Sequence, residues 1–140
     1  RSGAAAADPE LFRGAECIVT PGARASADAV DRIARLWRAV GMRVTEMSAE
    51  RHDDLMAWVS HLPHALAFGL TRALVQRDGE YAVHAGPSFR EMTRVAASST
   101  ELWRDVFVAN AEALAGALAA FERALAELRG RLHDPEAVEE

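Results

Sequence analysis

The sequence predicts a mostly α-helical domain preceded by a short strand, helix, strand unit. Three observations carry this. Helical apolar spacing runs from residue 50 almost to the end of the chain. The two short strand-like runs, CIV at 17–19 and MRVTEM at 42–47, both come earlier, separated by one amphipathic stretch. The last part of the chain repeats apolar residues at coiled-coil spacing. The expected division is therefore 1–47 for the strand, helix, strand segment and 48–140 for an all-helical domain.

Composition narrows the function classes. Half of the 140 residues are hydrophobic, yet no apolar run approaches the ~20 residues of a membrane span. The chain reads as a soluble domain. Its net charge is −5, it contains no lysine, and its arginines are interleaved with acids. Nucleic-acid surfaces cluster Lys and Arg, so that class is disfavoured. One cysteine, Cys17, excludes an internal disulfide and fits a reducing compartment. The start carries no secretory pattern, and the expected location is cytoplasmic. Opening at Arg1 and running SGAAAADPE, the chain reads as though entered partway through something longer.

The segment LFRGAECIVT ends in a short apolar run closed by Pro21 and Gly22, a strand followed by a turn. Ser26 is a good N-cap, with Asp28 in the first turn where the helix dipole favours negative charge. Val30, Ile33, Ala34, Trp37 and Val40 form one helical face, and Gly41 follows as a C-cap. MRVTEM supplies the second strand, which makes a βαβ-like unit too small to be a sheet domain alone.

Ser48 caps the next helix. On a helical wheel started at residue 50, Leu55, Met56, Trp58, Val59, Leu62, Leu66, Leu70 and Leu74 share a broad core face, while Asp53, Ser60, His61, His64 and Thr71 lie opposite. Those polar groups need partners, because a buried one without hydrogen bonds costs ~1–3 kcal/mol. Pro63 has no N–H for the carbonyl of Val59, so a kink is expected across residues 60–63 with an acceptor left open between the histidines.

This helix should end near RDGE at 77–80, and YAVHAGP should be a connection. Ser88 starts SFREMTRVAASS, from which Arg90 and Arg94 emerge on one side at i, i+4. Ser99 or Thr100 caps a last helix of ~30 residues, ~45 Å long. Phe107, Leu114, Leu118, Phe121, Leu125, Leu128 and Leu132 make its seam. Ala113, Gly116, Ala117 and Ala120 are small patches for a close neighbour. Such a helix overhangs a 140-residue monomer, whose radius of gyration should be ~14 Å, so a homodimer through it is expected. The tail HDPEAVEE reads as frayed.

Several chemistries are open to these residues. His52-Asp53 with His61 and His64 has the look of a metal site of the HD phosphohydrolase kind, but His84 and His133 do not complete a ligand set. No metal ligand is assigned. The histidines could equally be hydrogen-bonded inside a helical core, or bind an organic anion. Arg90 and Arg94 offer planar forks of donors suited to a carboxylate or phosphate, or simply a solvated face. Trp103 could wall a pocket or belong to the core. The sequence holds no GxG, no Ser-His-Asp nucleophile motif and no CxxC.

ELFRGAECIVTP, LWRAVGMRVTEMSAERHDDLMAWVSHLPHALAFGL and FREMTRVAASSTELWRDVFVAN, in this order and spacing, resemble the prephenate dehydrogenase family over nearly the whole chain. The specific parts are His52-Asp53, then DLMAWV, then SHLPH at 60–64, and FREMTR followed by the pair Leu102-Trp103. The resemblance implies a helical dimerisation domain of the 6-phosphogluconate dehydrogenase C-terminal kind, preceded by the end of a Rossmann domain. It implies an enzyme of tyrosine biosynthesis using NAD or NADP, which converts prephenate to 4-hydroxyphenylpyruvate by oxidative decarboxylation. Close relatives accept arogenate or 4-amino-4-deoxyprephenate.

Carried over by motif, Arg94 matches an arginine that binds a substrate carboxylate. His61 matches a histidine near the substrate, and His64 is its neighbour. Arg90 and Glu91 match a basic and acidic pair at the cleft, with Glu where Asp is usual, and Trp103 matches an aromatic at the pocket mouth. Ser88 stands where the family has glycine. The family's catalytic histidine lies in an HPM motif that this chain lacks, as it lacks GxGxxG, so no catalytic or cofactor-binding residue is assigned and the chain alone should be silent. The alternative is a stand-alone helical dimer that binds an aromatic acid without catalysis.

Overall fold

The computed structural model describes residues 7–133 except 9 and 78. It divides into two compact units, one ending at His52 and the other beginning at Asp53. The frayed tail expected at 133–140 lies outside the described residues from 134 on, as do most of the opening alanine-rich residues and Asp78 of the RDGE turn.

In the first unit β1 (Glu16–Val19) pairs in parallel with β2 (Arg43–Glu46), Glu16 opposite Arg43 and Val19 opposite Glu46. Helix α1 (Ala27–Ala39) makes the crossover. Ser26 caps it as expected, its Oγ accepting from the amide of Ala29 at 3.2 Å. Gly41 follows α1 at φ 91°, where a Cβ would meet Arg13 Cα at 3.3 Å, so both conformation and space select glycine. Phe12 meets Trp37 edge to face at 5.7 Å.

The predicted face of α1 is only partly covered. Ala34 is buried and Val30 and Trp37 half-buried, but Ile33 and Val40 are exposed. Two four-residue strands are narrower than the stripe they receive.

The second unit is helical. It comprises the end of α2 (Ala49–Met56), a π-helical turn at Ala57–His61, α3 (Leu62–Arg77), a 3₁₀ turn at Gly79–His84, α4 (Pro87–Thr93), a 3₁₀ turn at Arg94–Ala97, α5 (Thr100–Ala109) and α6 (Ala111–Arg131). Its core is Ala57, Leu62, Leu114 and Ala117, with Leu66, Phe107, Ala113, Leu118 and Phe121 packed around them. Ala57, Ala113 and Ala117 are small, which lets α6 lie close on the π turn.

Several expectations need correction. The kink expected across residues 60–63 is a π turn, in which the amide of Leu62 bonds to the carbonyl of Ala57. Pro63 cannot extend the α-type ladder, and one extra residue in the turn absorbs the missing donor. The buried positions follow that register: Ala57 and Leu62 are five apart. The extra residue also shifts the phase of the wheel, so Trp58 and Val59, expected in the core, are 46% and 62% exposed.

Next to Val59, the carbonyl of Ser60 lies against a ring nitrogen, His64 Nδ1. The single ~30-residue terminal helix is in fact two, broken at Asn110, which sits at φ −119° and ψ 35°. Its longer part, α6, has 21 residues, or ~32 Å. YAVHAGP, expected as a plain connection, is largely the 3₁₀ turn, and Pro87 rather than Ser88 opens α4.

Candidate functional site

The site candidates fall into two groups. His61 ends the π turn, His64 lies in the first turn of α3, and Trp103 lies in the first turn of α5, which Ser99 caps through its Oγ and the amide of Leu102 at 3.3 Å. These three side chains meet. The His64 ring stacks on Trp103 with centroids 3.5 Å apart and planes 19° from parallel, and His61 approaches the same indole edge-on at 6.2 Å. Trp103 continues to Phe107 at 5.5 Å and Phe107 to Phe68 at 6.2 Å, which ties the cluster to the core.

Both histidines are half-buried and oriented by hydrogen bonds. His64 Nδ1 lies 3.0 Å from the carbonyl of Ser60. A carbonyl only accepts, so Nδ1 donates and neutral His64 presents a lone pair at Nε2. His61 Nδ1 lies 3.1 Å from Asn110 Nδ2. Of the rest of the predicted polar stripe, Thr71 bonds back to the carbonyl of Ala67 at 2.8 Å. Among the described residues no buried polar side-chain atom lacks a partner.

Arg90 and Glu91 lie in α4 and Arg94 opens the 3₁₀ turn after it, all three exposed. Both segments pack against α3, the helix that carries His64. No side-chain hydrogen bond or ion pair of Arg90, Glu91 or Arg94 occurs among the described residues, so the structure does not join them to the ring cluster. The guanidinium groups of Arg90 and Arg94 are the cations here that suit an added anion.

Beside Trp103 opens an apolar groove of about 370 Å³ lined by Phe68, Thr100, Trp103, Arg104, Phe107 and Val108. No group of three or more His, Cys, Asp or Glu among the described residues could hold a metal. No helix among them is long and apolar enough to cross a membrane. Asn110 is the site residue that motif reading missed. Its signal was an Asn inside an otherwise strong helix-forming run, VANAEALAG.

Residues 48–139 match the model of the prephenate dehydrogenase dimerization domain. The chain belongs to the prephenate dehydrogenase family. Relatives of this oxidoreductase family include a cyclohexadienyl dehydrogenase of Zymomonas mobilis, 40% identical over 86% of this chain and 42% of its own length. A prephenate dehydrogenase of Bacillus subtilis is 35% identical over 79% of the chain and 30% of its own length. The chain thus spans less than half of the curated relatives it matches.

Among solved structures, prephenate dehydrogenase from Aquifex aeolicus, in complex with hydroxyphenyl propionate and NAD+, superimposes with a TM-score of 0.88. That match has 35% identity and covers 99% of this chain and 51% of the other. The family assignment agrees with the sequence resemblance, and the mostly helical architecture with the predicted fold class.

Proposed function

We propose that this chain is the substrate-side and dimerising part of an NAD(P)-dependent prephenate dehydrogenase of tyrosine biosynthesis, which converts prephenate to 4-hydroxyphenylpyruvate by oxidative decarboxylation. The observation that carries the reading is the His61, His64 and Trp103 cluster. It is an aromatic wall edged by two oriented imidazoles, in a chain whose fold resembles that of a protein crystallised with hydroxyphenyl propionate.

In this reading Trp103 and the imidazoles flank the six-membered ring of the substrate. Arg94 takes a substrate carboxylate through its planar fork of donors, and Arg90 with Glu91 lines the cleft. The residues present do not fit a dinucleotide. The turn from β1 to α1 has no GxG, and the N-terminus of α1 is already capped by Ser26. NAD or NADP would be held by a nucleotide-binding domain outside these 140 residues, to which the unit ending at His52 would contribute its last strands. No chemical step is assigned to the chain itself.

The dimer forms through the C-terminal helix. Leu125, Leu128 and Leu132 continue the apolar seam beyond the core, and all three are exposed in the single chain. A second copy laid along α6 would cover them.

The test is the rate of nicotinamide reduction with prephenate, followed on this chain and on the longest native protein that contains it. Activity in the long form alone is expected. Silence in both, with folded protein, would remove prephenate as the substrate.

A further inference from the structure

Asn110 stands where two helices meet, and its side chain does not do what an asparagine there usually does. As the residue before α6 it is placed to accept from the amides of the first turn, the ordinary use of an N-cap Asn. It makes no such bond. The backbone carries the junction instead, the amide of Leu114 bonding to the carbonyl of Asn110 at 3.0 Å. The amide nitrogen of the side chain is directed at two acceptors on another segment. Nδ2 lies 2.8 Å from the carbonyl of Asp53 and 3.1 Å from His61 Nδ1.

These two distances fix a proton. The Asp53 carbonyl has only lone pairs to offer, so the Asn110 atom facing it must be the NH₂ and not the oxygen. That NH₂ has two hydrogens, one for Asp53 and one for His61. His61 Nδ1 must then accept, and the neutral ring carries its proton on Nε2. A proton on Nδ1 would point at the hydrogens of Asn110. His64 has the opposite arrangement, with Nδ1 donating to Ser60.

We infer that Asn110 is a positioning residue that locks His61 as the Nε2–H tautomer, so that the two histidines beside Trp103 differ in kind, His61 a donor and His64 an acceptor at Nε2. The same bonds tie the α5–α6 junction to the segment that carries Asp53, which accounts for the break in the helix at Asn110. The tautomer follows from geometry alone; its value for substrate rests on the proposed function.

The test is the long-range ¹H–¹⁵N spectrum of the imidazoles in this chain above the pH at which they are neutral, with His61 assigned from a His61→Gln variant. The expected wild-type pattern is Nε2–H for His61 and Nδ1–H for His64. Asn110→Asp, which places an acceptor opposite Nδ1, should move the His61 proton to Nδ1. Asn110→Ala, free of the added charge, should leave a mixture of tautomers. His64 should be unchanged in both.

In the complete enzyme Asn110→Ala should raise KM for prephenate about tenfold, the effect of losing one well-placed hydrogen bond to a charged group. Wild-type His61 protonated on Nδ1, or a tautomer unmoved by either substitution, would overturn the inference whatever the enzyme's substrate. A tautomer that switches in a protein inert toward prephenate would leave the lock standing and refute the assigned substrate.

Discussion

The apolar seam of the C-terminal helices has two halves with different surroundings. Upstream, Phe107, Leu114, Leu118 and Phe121 close onto Ala57 and Leu62 within the chain. Downstream, Leu125, Leu128 and Leu132 follow the same spacing, yet keep 48%, 46% and 61% of their surface exposed. One periodicity thus serves two partners. It defines which side of a helix is apolar, and the length of the neighbouring element decides where the chain's own core ends. The π turn and α3 cover the start of α6, and the remainder of the stripe is left for another surface.

The upstream half should respond to substitution through folding. Leu114 is only 6% exposed, so Leu114→Ala should cost ~2–5 kcal/mol, transfer and cavity terms together. Urea denaturation would show this as a lower midpoint at constant slope. A loss below ~1 kcal/mol would mean that the core is not built around α6. The downstream half should respond through association. Leu125→Glu combined with Leu128→Glu should leave the far-ultraviolet circular dichroism of the chain intact, as surface changes usually do, and convert a dimer to monomer in sedimentation velocity. A dimer that survives both charges would erase the distinction between the halves.

The contrast also explains what could be seen in the sequence. The strands, their parallel pairing through one helix and the caps at Ser26, Ser48 and Ser99 were legible because each depends on a few consecutive residues. The π turn was half legible: Pro63 marked the disturbance, but whether the ladder bends or gains a residue depends on what packs below, here Ala57 against Ala117 and Leu114. The exposure of Trp58 and Val59 followed from that one-residue shift and could not be read from a wheel with constant pitch.

In the site, SHLPH and the Leu102-Trp103 pair marked His61, His64 and Trp103, residues from separate segments that the fold brings into contact. Asn110 escaped because its role is wholly tertiary. Its neighbours favour a continuous helix, and only Asp53 and His61, 57 and 49 residues away, draw it out of one. Arg90, Glu91 and Arg94 lie exposed on α4 and the turn after it, where the motif FREMTR singled them out and the fold of the chain alone assigns them no side-chain partner among the described residues.

The most direct test of the account is the Michaelis constant for prephenate of the complete enzyme carrying Arg94→Ala. If this chain forms the substrate wall, losing the guanidinium opposite a bound carboxylate should cost at least ~2 kcal/mol, a rise in KM of ~30-fold or more, with kcat little changed. An unchanged KM would take Arg94 out of the site and contradict the proposed placement of the substrate carboxylate.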